Sequence, residues 1–291
     1  MSLRIWGLLL LDTRLLCVTG GGCGLTLRGG GGCCVSPALV FVIKTLVLRY
    51  KRIKFAEKIA KRMEIDVIAH IETDFPSKFG IPRQSMMVEA LEGRIVFEPR
   101  YRNRDSVRGL EAFDYLWLLW DFSKAHRDGA SYSPTVRPPR LGGNTRVGVW
   151  ATRSPFRPNN IGLSCVRLLG VDTEAPDGPI LRVGGVDMVS GTPILDIKPY
   201  LPYTDAHPAA RAGFTMGQPH REGELLDVEM DDSLLDLMPP QKAKALSAVL
   251  AADPRPRYQD DAARVYGMTF AGVEVKFKVA GRRLYAWGER K

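Results

Sequence analysis

Six arginines, spread over a stretch that contains no acidic residue, are the side chains of this 291-residue chain best suited to bind an anion. No Asp or Glu lies between Asp128 and Asp172, and the arginines of that interval are Arg137, Arg140, Arg146, Arg153, Arg157 and Arg167. Several adjoin Pro or Gly, which predicts stiff loops. A guanidinium on a stiff loop can bind a carboxylate or phosphate bidentately with little loss of entropy. Any one of them is more simply a surface residue, but six without an acid between them indicate an anion site.

Short amides and glycines accompany these arginines, in the pair Asn159-Asn160 and in the triplet Gly142-Gly143-Asn144. Amide side chains can bind an adenine edge or ribose hydroxyls, and glycine lets a ligand approach the backbone closely. The same residues are typical of turns. Each is therefore weak support when it stands alone.

Two further clusters have the residue types of a binding site. In the first, Arg83 and Gln84 follow Pro82, whose ring restricts the backbone. The cluster offers one cation and one amide. In the second, Asp187 ends the glycine-rich run 184–187, and this carboxylate can accept a proton or cap a turn. The four histidines lack the spacing of metal ligands, so the sequence predicts no metal site.

The basic character of the chain is concentrated in its first 62 residues. The formal charge is +9, but residues 1–62 hold eleven basic and two acidic residues, whereas residues 63–291 hold 30 of each. Basicity is therefore no argument that the remainder binds RNA. The segment has no uninterrupted apolar run long enough to span a membrane. We expect a disordered extension or an over-long translation start, with Met63 as the natural first residue; a targeting segment is the alternative.

Cysteine usage predicts a reducing compartment. Four of the five cysteines lie in the first 34 residues, and only Cys165 lies beyond them. The rest of the chain is thus no disulfide scaffold. We expect a cytoplasmic protein without a membrane anchor.

From Met63 onward the pattern is that of a mainly β protein, because short alternating or β-branched runs are separated by Gly, Pro and Asn. The predicted strands are Ile65–Ile71, Ile95–Phe97, Leu116–Phe122, Val147–Ala151, Leu163–Gly170, Ile180–Val183 and Ile194–Ile197. The nearly continuous apolar runs Tyr115–Trp120 and Val147–Trp150 predict strands that are buried on both faces or close a barrel. No G-x-G-x-x-G follows a strand, which disfavours a Rossmann-type cofactor domain.

The last part of the chain predicts a small α+β domain. After a polar linker at 205–223, the pattern indicates a strand at Leu225–Met230 and helices at Ser233–Leu237 and Pro240–Ala251. Three short strands follow between Val265 and Trp287, with a turn at Gly272. The predicted division is thus an extension at 1–62, a β domain at 63–206 and an α+β domain at 224–291.

Taken together and in this order, the motifs resemble the TsaA family, also called TrmO, of tRNA methyltransferases. The matching pieces are DFPSKFGIPRQ (74–84), VRGLEAFDYLW (107–117), RPPRLGGNTRVGVWATRSPFRPNNIGLS (137–164), GTPILDIKPYLPYTDA (191–206) and DPRPRY (253–258). The resemblance implies a single-sheet β-barrel, non-Rossmann methyltransferase that acts as a homodimer. It also implies S-adenosylmethionine as cofactor and N6 of threonylcarbamoyladenosine, beside the tRNA anticodon, as the methylated atom.

The resemblance also implies a set of cofactor contacts. They are Pro82, Arg83, Gln84, Arg153, Leu163, Gly184, Gly185, Val186 and Asp187. Ser123 and Lys124 stand where bacterial relatives commonly have His-Gln, so a contact there is an open question, and His126 is a possible substitute. The substrate RNA is then assigned to Arg137, Arg140, Arg146, Arg157, Asn159 and Asn160.

Methyl transfer depends mainly on placement and electrostatics, so it demands no strong base. If a residue takes the proton, Asp187 is the candidate. Two other functions use the same arginines. One is a non-catalytic β-barrel module that binds RNA or nucleotides. The other is a methyltransferase of the same fold that acts on a different small substrate, which the balanced charge of residues 63–291 keeps open.

Overall fold

Six strands close into an antiparallel barrel, and along strands such as Tyr115–Asp121 the side chains alternate between the interior and the outer face. The computed structural model describes residues 45–46, 49–50, 64–125, 132–215, 225–255 and 261–289. Apart from the two short helical pairs at 45–46 and 49–50, the predictions for residues 1–62 lie outside this part of the chain, as does His126.

The barrel is one sheet with the strand order β1-β2-β7-β6-β3-β8, closed by pairing of β8 with β1. Its strands are β1 (Ala69–Thr73), β2 (Glu92–Phe97), β3 (Tyr115–Asp121), β6 (Ile161–Asp172), β7 (Ile180–Gly184) and β8 (Thr192–Pro199). The inward side chains fill the interior, and Ile71, Leu118 and Leu181 are fully buried. A two-stranded hairpin, β4 (Thr135–Val136) with β5 (Val147–Gly148), lies between β3 and β6 in the chain.

The predicted fold class, a mainly β protein built on a single-sheet barrel, is confirmed. The predicted strands of the barrel are present, with ends that differ by a few residues. The first strand begins at Ala69 rather than Ile65, because pairing with β2 and β8 begins at Ala69. Such ends depend on the partner strands, which the local sequence does not contain.

The predicted strand Val147–Ala151 is wrong beyond Gly148. Residues Val149–Ala151 form a 3₁₀ helix, in which Val149 is buried but Trp150 is 65% exposed. The carbonyl of Val149 accepts bonds from the Thr152 N–H, at 3.1 Å, and from the Arg157 guanidinium, at 3.2 Å. These backbone groups are therefore satisfied within the loop and need no neighbouring strand.

The C-terminal part is a four-stranded sheet covered by a helix, as predicted. Its strand order is β10-β11-β12-β9, with β9 parallel to β12 and the other pairs antiparallel. The strands are β9 (Asp227–Met230), β10 (Tyr266–Phe270), β11 (Val273–Ala280) and β12 (Arg283–Glu289). The α-helices are α1 (Pro202–Asp205), α2 (Asp232–Leu235) and α3 (Pro240–Ala251). The predicted helix Pro240–Ala251 is confirmed, and it buries Leu246, Val249 and Leu250.

Short 3₁₀ helices connect many of these elements. They are Pro99–Tyr101, Arg104–Val107, Leu110–Ala112, Ser123–Ala125, Pro139–Leu141, Val149–Ala151 and Gly213–Thr215. Within the described part of the chain, no helix is long and apolar enough to cross a membrane.

Barrel and C-terminal sheet share one hydrophobic core within the compact unit Glu64–Lys291. The ring of Phe75, just after β1, meets Phe270 edge to face with 5.3 Å between centroids. The N–H of Ala271 donates to the carbonyl of Asp74 at 2.9 Å. Lys242 of α3 pairs with the Asp74 carboxylate at 2.7 Å. The predicted domain boundaries at 206 and 224 remain a prediction.

We expect Lys242→Met to lower the free energy of unfolding by about 1–3 kcal/mol, because it leaves the Asp74 carboxylate, only 11% exposed, without its cation. Arg94→Met is the matched control. Arg94 pairs with Glu72 at 3.0 Å, but both side chains are more than half exposed, so the loss should stay below about 1 kcal/mol. Urea unfolding of the three proteins measures both values. Equal losses in the two variants would show that the Asp74–Lys242 pair stabilises the fold no more than an exposed pair does.

Candidate active site

The loop that carries Pro82, Arg83 and Gln84 packs against the glycine turn that follows β7. The N–H of Met86 donates to the carbonyl of Gly185 at 2.8 Å. Gly185 has a φ of +73°, and a Cβ added there would lie 2.2 Å from the Met86 sulfur and 3.1 Å from its Cα. Met86 itself has a φ of 64°. This approach requires glycine at 185, and left-handed backbone at a bulky residue is a form of strain often found at functional sites.

A chain of hydrogen bonds runs from the barrel interior to Asp187. The indole Nε1–H of Trp120 donates to Ser164 Oγ at 3.0 Å, and the Ser164 hydroxyl donates to Asp187 Oδ1 at 2.7 Å. Ser164 is 1% exposed. A serine hydroxyl has one proton to give, so accepting from Trp120 directs that proton to the carboxylate.

Burial raises the pKa of Asp187 from its ordinary 3.8 to about 6. The hydrogen bond from Ser164 acts against this rise, followed by bonds from the backbone of Ser85 and of Asp187 itself, and by the cation of Arg153. A carboxyl group with such a pKa is mostly ionised at neutral pH but can still take up a proton. It is therefore suited to general base catalysis or to balancing a bound cation.

Arg153 brings a third segment to the same place. A guanidinium N–H of Arg153 donates to the side-chain oxygen of Gln84. Because Arg153 also lowers the pKa of Asp187, its charge acts on that carboxylate. Carboxylate, guanidinium and amide thus converge from three loops, and Ser164 of β6 adds its hydroxyl.

The structure therefore brings together four of the residues expected to contact a cofactor, namely Gln84, Arg153, Gly185 and Asp187. Their neighbours Pro82, Arg83, Gly184 and Val186 lie in the same two segments.

Three other expected contacts are exposed. Ser123 and Lys124 are exposed on the 3₁₀ helix after β3, where the Lys124 ammonium donates to the carbonyl of Pro76 at 3.3 Å. Leu163 is 50% exposed. Successive side chains of a strand point to opposite faces, so Leu163 faces outward where Ser164 faces the interior.

The residues assigned to RNA divide into two groups. Arg157 and Asn160 bind their own loop: Arg157 donates to the carbonyl of Thr152 at 2.6 Å and the Asn160 amide to that of Pro155 at 2.6 Å. Arg137, Arg146 and Asn159 are exposed, and Arg146 donates to Thr135 Oγ1 at 3.1 Å. The side chain of Arg140 lies outside the described part of the structure.

Sequence reasoning missed Ser85, Ser164 and Trp120 as members of the site. One signal was available for Ser164. It occupies an inward position of β6 between Gly162 and Val166, and a polar side chain inside a barrel requires a hydrogen-bond partner.

Other sites of comparable chemistry are weaker. Among the described residues, no group of three or more His, Cys, Asp or Glu side chains could hold a metal ion. A shallow depression of about 400 Å³ on the C-terminal sheet is lined in part by Asp227, Glu229, Lys278 and Arg283. Its charges are mixed and exposed, so it favours no ligand class, whereas the Asp187 site combines burial with converging polar groups.

Comparison with known proteins identifies related sequences over both parts of the chain. The family model for the tRNA-methyltransferase O N-terminal domain matches residues 70–206, and that for the TrmO C-terminal domain matches residues 227–286. A tRNA (adenine(37)-N6)-methyltransferase of Escherichia coli (strain K12) is 40% identical over 230 residues, which cover 77% of this chain and 97% of that protein. A protein of the same name from Eikenella corrodens is 44% identical over 169 residues, covering 58% of this chain and 92% of the relative.

Solved structures agree with the sequence comparisons. A crystal structure of TrmO from Pseudomonas aeruginosa superimposes with a TM-score of 0.62 at 29% identity, covering 78% of this chain and 97% of that one. A second TrmO structure from that organism gives a TM-score of 0.61 at 31% identity, covering 77% and 95% of the two chains.

We expect Asp187→Asn to change how stability depends on pH. Asp187 holds its proton more tightly in the folded than in the unfolded chain, so its ionisation destabilises the fold as the pH rises from about 4 to about 6. The free energy of unfolding of the variant, relative to the native chain, should therefore increase by up to about 3 kcal/mol over that window. Unfolding of both proteins at pH 4 and pH 7 measures it. Since other groups titrate equally in both, a difference that is constant with pH would contradict the buried carboxyl.

We expect Gly185→Ala to displace the loop that carries Gln84. Gly109→Ala is its control, because Gly109 has a similar φ of +83° but open space around it. The control should lose only about 1–2 kcal/mol of stability, which is the cost of left-handed backbone at a residue that has a Cβ. Gly185→Ala should lose more, and amide exchange at Met86 should accelerate. Equal losses, with Met86 still protected, would show that the close approach is unimportant.

Proposed function

Because the chain belongs to the tRNA-methyltransferase O family, we propose that it transfers a methyl group from S-adenosylmethionine to N6 of adenosine 37 of tRNA. The substrate base is threonylcarbamoyladenosine, the modified adenosine beside the anticodon. The observation that carries this proposal is the convergence of Gln84, Arg153 and Asp187 at the glycine turn after β7.

The donor set of the site fits this cofactor. S-adenosylmethionine has two cationic groups, one carboxylate and an adenosine, and when bound it supplies an electrophilic methyl group on sulfur. The Asp187 carboxylate suits a cation, and the guanidinium groups of Arg83 and Arg153 suit a carboxylate. The Gln84 amide suits an adenine edge, and glycine at 185 lets the Met86 loop pack closely against the turn that carries Asp187.

The residues of the site mainly position the cofactor and the substrate, and they add little chemical activation. Arg153, held by Gln84, and Arg83 position charged or polar groups of the cofactor and substrate. Asp187, fixed in orientation by Ser164 and Trp120, balances a cation and can take the proton that leaves the nitrogen. Uptake of the proton is favoured by a pKa near neutrality, whereas balancing a cation needs only the ionised carboxylate, and aligned reactants account for much of a barrier reduction.

We propose that the enzyme acts as a homodimer. Leu163 and Ile161 are outward on β6 and exposed by 50% and 37%. Within one copy Leu163 faces away from the interior side of β6, where Ser164 binds Asp187. The Leu163 of one copy is therefore better placed to contact the cofactor of a second copy, packed against this outer face of β6, than the cofactor of its own copy. Light scattering tests this proposal, and a monomeric mass at the concentration used for activity assays would contradict it.

The exposed Arg137, Arg146 and Asn159 are the proposed contacts to tRNA, since cations on a loop beside the site can bind phosphates. We expect the enzyme to work in the cytoplasm, where its substrate tRNA is found.

We expect Arg153→Ala to reduce methyl transfer at least about 100-fold, as is typical when an oriented charged contact is removed. Arg167→Ala is the matched control, because Arg167 belongs to the same acid-free stretch but is exposed on β6. Both variants should remain folded, which circular dichroism checks. Methylation of a threonylcarbamoylated anticodon stem-loop and calorimetric titration with S-adenosylmethionine measure the effect. Native turnover in Arg153→Ala would refute the site.

Mass spectrometry of tRNA nucleosides from cells that lack the gene tests the substrate. Loss of the methylated nucleoside supports the proposal, and its persistence would refute the assigned substrate. A chain that binds S-adenosylmethionine but leaves tRNA unchanged is a methyltransferase for another substrate. A chain that binds RNA in a salt-sensitive way without binding S-adenosylmethionine is a non-catalytic module.

A further inference from the structure

Three large aromatic side chains lie exposed on the connection between β3 and β6, which also carries Arg153. The exposed fractions are 65% for Trp150, 49% for Tyr132 and 43% for Phe156. Single exposed apolar residues are common, but a group of aromatic rings on one loop is typical of a surface that binds a partner.

Two of these rings are held in fixed positions. Pairing of β4 with β5 aligns Thr135 with Gly148, and the Val149 N–H continues the hairpin by donating to the carbonyl of Pro134 at 2.9 Å. The hairpin thereby places Tyr132 beside Trp150, with 6.1 Å between ring centroids and 32° between ring planes. Buried Val149 anchors the turn from below. Ordering these rings before a partner binds reduces the entropy that binding would otherwise cost.

Arg157 fixes the indole further. Its guanidinium carbon lies 5.2 Å from the centre of the Trp150 ring, while its N–H groups donate to the carbonyls of Val149 and Thr152. The arginine is thus immobilised by its own loop, and the cation–π contact immobilises the indole. Trp150 nevertheless keeps 65% of its surface exposed, so a large part of the ring remains open to a partner.

The charge around these rings favours RNA over a second copy of the chain. The exposed Arg137, Arg146 and Arg153 share the acid-free stretch with Trp150. A two-fold contact through this surface would bring arginines against arginines without acidic partners from this stretch. An anionic strand with unpaired bases complements both features, because its phosphates meet the cations and its bases stack on the rings.

The position of the rings relative to the site gives this surface a role. Trp150 lies three residues before Arg153, which binds Gln84 and acts on Asp187, so the Cα atoms of Trp150 and Arg153 are at most about 11 Å apart. Enzymes that modify a base must hold it out of the stack, which leaves its neighbours without a stacking partner.

We propose that Trp150 and Tyr132 form a stacking surface for unpaired bases of the RNA loop that flank the reacting adenosine. This inference rests on the proposed function. It adds to that function a binding contribution that depends on ring stacking rather than on charge.

Trp150→Ala, Trp150→Phe and Tyr203→Ala test it. Tyr203 is the control for loss of an exposed aromatic side chain, since it is 87% exposed on α1, outside the connection between β3 and β6. The probe is an anticodon stem-loop RNA with an unpaired loop. We expect Trp150→Ala to weaken binding about 5- to 100-fold, Trp150→Phe to retain most of the affinity, and Tyr203→Ala to match the native chain.

The dependence of binding on salt separates stacking from charge. Trp150→Ala removes no cation, so its slope of log affinity against log salt should equal that of the native chain. Arg146→Ala, by contrast, should reduce the slope by about 0.7 if Arg146 contacts a phosphate. Affinity for S-adenosylmethionine, measured by calorimetry, should be native in Trp150→Ala, and circular dichroism confirms that the variant folds.

Native RNA affinity in Trp150→Ala would overturn the stacking surface and leave the proposed methyltransferase intact. Loss of RNA affinity together with a fall from dimer to monomer in light scattering would also overturn it, because the rings would then serve self-association. Failure of the native chain to bind S-adenosylmethionine or to methylate the RNA would instead refute the proposed function.

Discussion

The Asp187 carboxylate is largely withdrawn from water, and the arrangement of the site follows from the need to stabilise it there. An isolated buried charge is strongly unfavourable, so it must be met by donors or by a cation. Ser164 supplies a hydroxyl, Ser85 a backbone N–H and Arg153 a positive charge. These groups come from a barrel strand and two loops, and the carboxylate therefore fixes three otherwise separate segments relative to one another.

The barrel makes this possible through a close contact on its inner face. Trp120 of β3 is paired with Gly162 of β6, and a Cβ at 162 would lie 2.3 Å from the indole. Glycine there admits the ring, which then directs its N–H to Ser164, two residues further along the same face. The register of β3 with β6 thus fixes both the position of the Trp120 ring and the residue that accepts its N–H.

The sequence predicted the elements better than the contacts, because the two depend on different ranges of the chain. The apolar run of β3 and the helical composition of Pro240–Ala251 are local features, and both predicted the element that the structure has. The chain from Trp120 through Ser164 to Asp187 depends on a register between strands that are more than 40 residues apart, which no local pattern encodes. The predicted strand was misassigned beyond Gly148 because the Val149 carbonyl is bonded within its own loop, by Thr152 and Arg157, and such partners cannot be read from the local pattern. Gln84, Arg153 and Asp187 were proposed from their residue types and from a long and unusual set of motifs, not from geometry.

The acid-free stretch is not a uniform patch of positive charge, and this explains how a loop with so many arginines can be rigid. The Arg157 guanidinium donates to the carbonyls of Val149 and Thr152, which closes the turn between them. That turn fixes the direction in which the chain leaves Thr152, and Arg153 then reaches Gln84 and acts on Asp187. Burial alone would raise the pKa of Asp187 further, and the donors together with the Arg153 cation hold it near neutrality. An arginine whose hydrogen bonds hold its own loop therefore sets the position of one that contributes charge to the site.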